Sequence, residues 1–528
     1  MSSAPVTETK LVGLGNDSGA LIVSTSKEGG LSVLESQPKS RKILILLLLC
    51  FSFFLDSISG SSLFTAIPVI STQLNIPNSQ SVWILSAYQL TFSALLLISG
   101  RVSDLYNPKW VFVTGAAWLG IFALIDGFIR KEIPLITLRA LMGAGGALTI
   151  PSAIHLIVHM YPDPADQAMA ITAFGGVGAL GNVLGLVIGA LFVSFTSWPW
   201  VFYFLAILAA VIASAAVVVV PQVQRTMNET RAEKILRFRR LDLVGVFTFT
   251  AAAILFIFSV TSGSIDGWGS AQVLAPLVLS LILLFLFLLW ESRLPESYAA
   301  IPVKVWRYEN FTVLILLSFA PFTWWASVFL EFTWLWEVVY GWSAIKVAVH
   351  ILPVGLGMFP MVPVSAILQA RLPMKWVIFI GFLLICVGTA LLPFADSSAH
   401  YWPFAFPGFL LGTAGAALIY TTINVSLFAH TPKEVSGIVS AIFNSALQMG
   451  GAFGSAILAS IQTSVQIHHG GPNSFSGRAA GFWFLFAFMC MLTGVLLLFM
   501  KDTFGTIVPG APPHSTERGQ ESETTNVE

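Results

Sequence analysis

Charge is what this sequence has least of. Asp, Glu, Lys and Arg make up 10% of its 528 residues and apolar side chains 56%, a balance far from that of a soluble domain. Cysteine is nearly absent. Cys50, Cys386 and Cys490 all fall in apolar runs with neither CxxC nor metal-ligand spacing, which excludes a disulfide framework and leaves them as small apolar side chains. A phosphate loop of the form G-x-x-x-x-G-K-[ST] is missing, which argues against ATP-driven work. So is any nucleophile–base or metal-ligand constellation within the apolar runs, so neither an enzyme nor a cofactor nor a bound metal is expected. With net charge zero and no dense basic patch outside one linker, nucleic acid is not an expected partner. Because 42 mostly polar residues precede the first apolar run, no cleavable signal peptide is expected.

What is present is length of apolar chain. Crossing ~30 Å of hydrocarbon takes about 20 helical residues. Runs of that order stand at 43–67, 82–100, 110–129, 134–158, 168–193 and 199–220, then 242–262 and 272–290. Six more follow at 311–335, 344–367, 374–395, 401–424, 435–460 and 480–500. The expected fold class is an all-α polytopic membrane protein with fourteen spans. Residues 1–42 and 501–528, rich in Ser, Thr, Glu and Pro, read as disordered tails.

The chain is organised around residues 134–193, which reappear later. A shift of 269 positions lays Gly143 on Gly412, Gly146 on Gly415, Gly181 on Gly450 and Gly185 on Gly454. Both copies break at a Pro-bearing polar loop, YPDPADQ at 161–167 and HTPKEVS at 430–436. Such periodicity indicates internal duplication. The plan is a six-helix bundle over 43–220, a basic linker over 221–241, two additional helices over 242–290 and a second six-helix bundle over 291–500. Gly181, Gly185 and Gly189 recur at every fourth position, a small-residue face that lets helices approach closely in lipid. The nine glycines in question are Gly143, Gly146, Gly181, Gly185, Gly189, Gly412, Gly415, Gly450 and Gly454.

Lys and Arg set the orientation. With the N-terminus inside, the outer segments hold only Arg130, Lys131, Lys346 and Arg478. Arg139 is the one Lys or Arg placed within a span, which leaves 21 of 26 on the inner side. Six of these, Arg225, Arg231, Lys234, Arg237, Arg239 and Arg240, lie in the linker. Both termini are therefore expected in the cytoplasm. Trp198, Trp200, Trp334, Trp336 and Trp342 fall at outer borders, as an aromatic belt would. The sequons at Asn16 and Asn228 face the cytoplasm and those at Asn310 and Asn424 abut or enter spans, so no glycosylation is expected.

Several motifs resemble those of the major facilitator superfamily, in particular the fourteen-span drug:proton antiporter type common in fungi. GRVSDLYNPK at 100–109 is similar to the family's G-x-x-x-D-R-x-G-R-K loop, keeping Gly100, Asp104 and Lys109 but with Leu105, Asn107 and Pro108 where Arg and Gly are usual. LITLRALMGAGGA at 135–147 resembles the span-4 motif whose arginine is tied to proton coupling. GNVLGLVIGA at 181–190 resembles the antiporter signature, with Leu186 where proline is usual, and SWPWVFYF at 197–204 resembles the segment entering span 6, with Pro199 for Arg. RRLDLVG at 239–245 and YGWSAIKVAVHILP at 340–353 also look like this group. The resemblance implies two bundles rocking about a central cavity, with proton-coupled efflux of a small organic compound from the cell. It implies a monomer whose partners are the bilayer, the substrate and protons. Movement of a small inorganic solute such as ammonium or borate, and a transporter-like sensor, stay open beside it.

A carboxylate at Asp104 can meet a helix N-terminus or a basic residue of the other half and hold one face closed. QARLPMK at 369–375, the equivalent loop of the second half, has no such acid. Within the spans, depth ranks the polar residues. Asp56 lies ~10 Å from the outer side and Arg139 ~8 Å, so they can meet. Burial favours a neutral acid and a nearby guanidinium favours the carboxylate, which makes Asp56 with Arg139 the expected proton-coupling pair and Asp126 the competing acid. Glu331 and Glu337 read as interfacial, His155 and His159 as headgroup-level, and His350 as packed and hydrogen-bonded. Gln89, Asn182, Asn444 and Gln448 are candidate cavity-lining residues or interhelical hydrogen-bonders.

Overall fold

The computed structural model describes residues 34–222, 242–294, 303–429, 431, 436–471 and 474–502. Nearly all of these are helical. In chain order the long helices are α1 (Lys39–Leu74), α2 (Trp83–Leu105), α3 (Pro108–Phe128), α4 (Glu132–Met160), α5 (Pro164–Phe195), α6 (Pro199–Val219), α7 (Leu243–Asp266) and α8 (Ala271–Arg293). They continue as α9 (Phe311–Val339), α10 (Ala344–Arg371), α11 (Met374–Phe394), α12 (Ser398–Ala429), α13 (Ser436–His468) and α14 (Ser476–Phe499).

Twelve helices among the described residues are long and apolar enough to cross a membrane. That departs from the fourteen expected, because α2 and α13 do not qualify. α2 enters only by its stretch Trp83–Leu96, because the described side chains are interrupted at residue 97, and α13 is diluted by Asn444, Gln448, Gln462 and Gln466 among its serines and glycines. These two helices pack on one another, with Ser445 Oγ donating to the Ser93 carbonyl at 2.6 Å. Their polarity is thus spent inside protein rather than on lipid. The first helix also starts earlier than expected. It opens at Lys39 after Pro38, inside the segment assigned to the N-terminal tail. Residues 34–38 of that tail are also described, with Leu34 fully buried, so this part is not the disordered tail expected; residues 1–33, the sequons at Asn16 and Asn228, the six basic linker residues and 503–528 lie outside the described residues.

Local sequence explains the breaks. Proline leads α3 and α6, where a missing N–H costs nothing. The Asn107 side chain caps α3 by accepting from Lys109 N at 3.0 Å, and Asp242 caps α7 by accepting from Gly245 N at 3.1 Å. α10 stops after Leu356 and resumes at Met361, with Pro353, Pro360 and Pro363 around the interruption.

Lys109 Nζ donates to Val217 O at 2.8 Å and Arg41 Nε to Val219 O at 3.2 Å, which puts the start of α1, the start of α3 and the end of α6 on one face. Asn310 Nδ2 donates to Lys501 O at 3.1 Å while Lys501 N donates to Asn310 Oδ1 at 2.9 Å, joining the start of α9 to the chain just after α14. We call this the terminal face and its opposite the far face.

Within each half, glycine sets helix spacing. A Cβ on Gly181 would come within 2.9 Å of the Phe54 carbonyl oxygen, and one on Gly185 or Gly189 would meet Ser61 or Ser62 of α1. In the second half, Gly450 and Gly454 of α13 lie against Phe319 and Thr323 of α9 in the same manner. Between the halves, Phe64 packs on Phe329 with ring centroids 5.0 Å apart, and Ala190 packs with Ala344 and Ala348.

Candidate functional site

The densest buried polar group of the first half lies where α1, α2 and α4 converge. Gly143 and Gly146 remove the side chains that would keep α4 from α2. A Cβ on Gly146 would fall on the Tyr88 hydroxyl and 2.9 Å from Asp56 Oδ1, and one on Gly143 would fall on the Tyr88 carbonyl. Into that space the Tyr88 hydroxyl donates to Asp56 Oδ1. The Arg139 guanidinium stacks over the Tyr88 ring, 4.5 Å from its centroid. Its Nε donates to Ile84 O at 3.0 Å and its Nη1 to Ser59 Oγ at 3.0 Å. Asp56, Tyr88 and Arg139 are all buried.

Asp56 and Arg139 therefore share one site, as their depths suggest, but Tyr88 stands between them and they make no direct ion pair. Asp126, from α3, is fully buried, and neither of its carboxylate oxygens has a hydrogen-bond partner among the described residues. Arg139 is within electrostatic reach of both acids. One guanidinium thus serves two buried carboxyl groups. Leaving a second negative charge uncompensated in a dry site is costly, and taking up one proton removes that cost.

Sequence reasoning missed Tyr88 and Ser59. The signal for Tyr88 was available: it begins the second turn of α2 at the depth of Arg139, opposite two glycines three residues apart.

The remaining candidates fall elsewhere. Gly100 has open space around it, and the side chain of Asp104 lies outside the described residues. Lys109 binds the last turn of α6 in its own half, where a cation meets the negative helix end. Gln89 faces Gly451 of α13, and Asn444 Nδ2 donates to Ser440 O at 2.9 Å on the same helix. Gln448 is half-buried one turn on, while Asn182 on α5 is exposed. In the second half, Gly412 receives the Trp324 ring, whose Nε1 donates to Thr389 Oγ1 at 2.9 Å, and Gly415 abuts the Gly381 carbonyl. His155 and His159 stack at 4.4 Å. His350 Nδ1 lies 2.7 Å from Lys346 O, with the rings of Trp342 and Tyr401 each 4.7 Å away.

Two expectations are corrected. Glu331 is not interfacial but buried, because Arg478 Nε stands 3.9 Å from its Oε2 and offsets its charge. Arg478 lies in the first turn of α14, at the far-face end of that helix, and is buried there beside Glu331. Nor do the tryptophans form a simple belt. Trp200 is exposed, but Trp198, Trp334 and Trp336 are buried, Trp198 by donating to Gln73 Oε1 at 2.8 Å and Trp336 by ring packing with Phe332 and Trp342.

Comparison with known proteins agrees with this architecture. The chain is 26% identical over 444 residues to an efflux pump of Aspergillus terreus, terJ, covering 82% of this chain and 84% of that one. It is 25% identical over 411 residues to a low affinity ammonium transporter of Saccharomyces cerevisiae, covering 77% and 78%. Its fold matches the inward-facing, occupied structure of a bacterial homolog of the human lysosomal transporter Spinster with a TM-score of 0.60 at 13% identity, over 88% of this chain and 97% of that one. The family model of the Major Facilitator Superfamily matches residues 49–455, and with the paired helical halves this places the chain in the Major Facilitator Superfamily of secondary transporters.

Proposed function

We propose that this transporter exports a small organic compound by proton-coupled alternating access, with the exchangeable proton held at Asp56. The buried group of Asp56, Tyr88, Arg139 and Asp126 is the observation that carries this reading, and the similarity to an efflux pump supports the direction and the substrate class. In the mechanism, Tyr88 donates to Asp56 while the acid is ionised. The guanidinium stacked over the ring balances the charge, and Asp126 carries a proton at that stage. When the halves rock, Arg139 turns its field from one acid to the other and the proton changes place. Gln89, Asn444 and Gln448, on the two helices that join the halves, line the route of the compound together with Asn182. The contacts at the far end of α1, α5, α9 and α10 fit a conformation closed on that face. The same reading has fourteen spans, α2 and α13 included, with both termini in the cytoplasm, and a monomer in the plasma membrane.

Screening a deletion and an overexpressing strain against a toxin panel, with extracellular metabolite profiling, finds the compound. In proteoliposomes, Asp56→Asn then abolishes accumulation driven by a pH gradient while the protein still folds and binds. Arg139→Lys keeps the charge but loses the planar fork, and also impairs transport. Undiminished, pH-dependent accumulation by Asp56→Asn sinks the assignment. Transport of ammonium would favour the second reading, which the similarity to the ammonium transporter supports.

A further inference from the structure

The second half contains its own buried charge centre, built from three helices. Glu331 of α9 is 3% exposed, Gln462 of α13 is 1% and Arg478 of α14 is 2%. Gly477 lets α14 close on α13 at this level, since a Cβ there would come within 2.6 Å of the Gln466 side chain. With its amide turned to match donors to acceptors, Gln462 gives its nitrogen to both Glu331 oxygens, at 2.6 and 2.8 Å, and its oxygen accepts from Gln466 Nε2 at 3.2 Å. Gln466 Nε2 also reaches the Ser474 carbonyl at 3.4 Å, in a segment where Ser474 is half-buried, Ser476 is exposed and their hydroxyls lie 2.8 Å apart. A line of polar groups thus runs from the buried carboxylate to the far face.

We propose that Glu331 is a second proton-binding site, in which the Gln462 amide follows the protonation state. Arg478 is the charged group facing Glu331 among the described residues, and α13 presents only amides to it. Arg478 does not clamp the acid. Its Nε stands 3.9 Å from Oε2, while its Nη1 donates to the Ser474 carbonyl at 3.3 Å. Ionised, Glu331 needs donors, and the Gln462 nitrogen supplies them. Once a proton adds to one oxygen, the new O–H needs an acceptor. A half-turn of the same amide presents Oε1 with no helix movement. The adjoining Gln466 amide must then reverse as well, since two N–H groups cannot face each other, and it gives up its bond to the Ser474 carbonyl, which keeps the one from Arg478 Nη1. No other reactant is required: a proton arrives from the far side, an O–H forms, and the reverse step releases it.

Use of this proton in transport rests on the transporter reading above, but its binding can be measured apart from any substrate. Infrared difference spectra of the full-length protein in lipid, between about pH 4 and 9, report the carbonyl stretch of protonated carboxyl groups. Wild-type protein should gain a band on acidification that Glu331→Gln loses and Glu331→Asp keeps at a shifted frequency. Gln462→Leu should keep the acid band but lose the accompanying side-chain amide change. Should Glu331→Gln fail to fold, the shifted band of Glu331→Asp makes the assignment. Asp56→Asn removes a different band, so failure of proton coupling at Asp56 leaves the Glu331 signal in place. Acid bands unchanged in both Glu331 variants would show a permanently ionised pair and overturn the proposal.

Discussion

The two halves use the same packing device to hold opposite contents. In the first, Gly143 and Gly146 open a space on α4 that admits Tyr88, Asp56 and the Arg139 guanidinium. In the second, Gly412 on α12 opens the matching space and the Trp324 ring fills it, its one polar atom bonded to Thr389. One half pays for buried charge with a hydrogen-bonded network; the other holds an indole that cannot ionise. The two halves therefore share the spacing of backbones more closely than the chemistry placed between them. The charge of the second half sits instead at Glu331 and Arg478, on a different set of helices.

Four substitutions would break or sharpen that contrast. Gly146→Leu should have the largest effect. Its side chain would occupy the place of the Tyr88 hydroxyl and Asp56, so transport should be lost, and overpacking should cost ~1–3 kcal/mol or more in a thermal unfolding assay. Near-normal transport would show that the network is dispensable. Tyr88→Phe keeps the ring under Arg139 and removes only the hydroxyl. Losing a hydrogen bond to a charged group is worth ~1.5–3 kcal/mol, a factor of about ten or more, so the rate profile against pH should shift in proteoliposomes. A profile unchanged in shape would make Tyr88 a packing residue. Trp324→Phe should cost ~1 kcal/mol of stability for its hydrogen bond, plus the area of the lost ring, with the pH profile unmoved. A moved profile would mean that the Trp324 site, like its first-half counterpart, takes part in the titration. The smallest change is Gly100→Ala. Nothing lies near a Cβ there, and alanine favours the helix by up to ~1 kcal/mol. Lost transport with normal folding would reveal a close approach at Gly100 in another conformation.

Much of this could be read in the chain itself. Apolar run length located the helices, and the glycine spacing at 181, 185 and 189 marked the face that α5 turns to α1. Depth along the helix axis was enough to bring Asp56 level with Arg139. Rotation about that axis was not legible, so Tyr88, which lies between the two, went unnoticed. Polarity was misread where protein replaces lipid as the solvent. α13 carries Asn444, Gln448, Gln462 and Gln466 because it faces other helices, Gln462 turning to Glu331 of α9. Glu331 reads as interfacial when weighed alone, and 147 positions of sequence separate it from Arg478, the partner that makes its burial tolerable.

The reciprocal bonds between Asn310 and Lys501 have a practical consequence. They fasten the entrance of α9 to the exit of α14, closing the whole second half into a ring stitched at the terminal face. Lys501 takes part in the clasp through its backbone, while its Nζ stands 3.9 Å from Glu309 Oε1 at the surface, so the position matters more than the side chain. Purification tags and fluorescent fusions should begin beyond residue 502, and a chain cut at 500 would lose the clasp along with its tail. Asn310 is buried with both ends of its amide engaged, so in the folded protein it is a poor acceptor for a glycosylating enzyme.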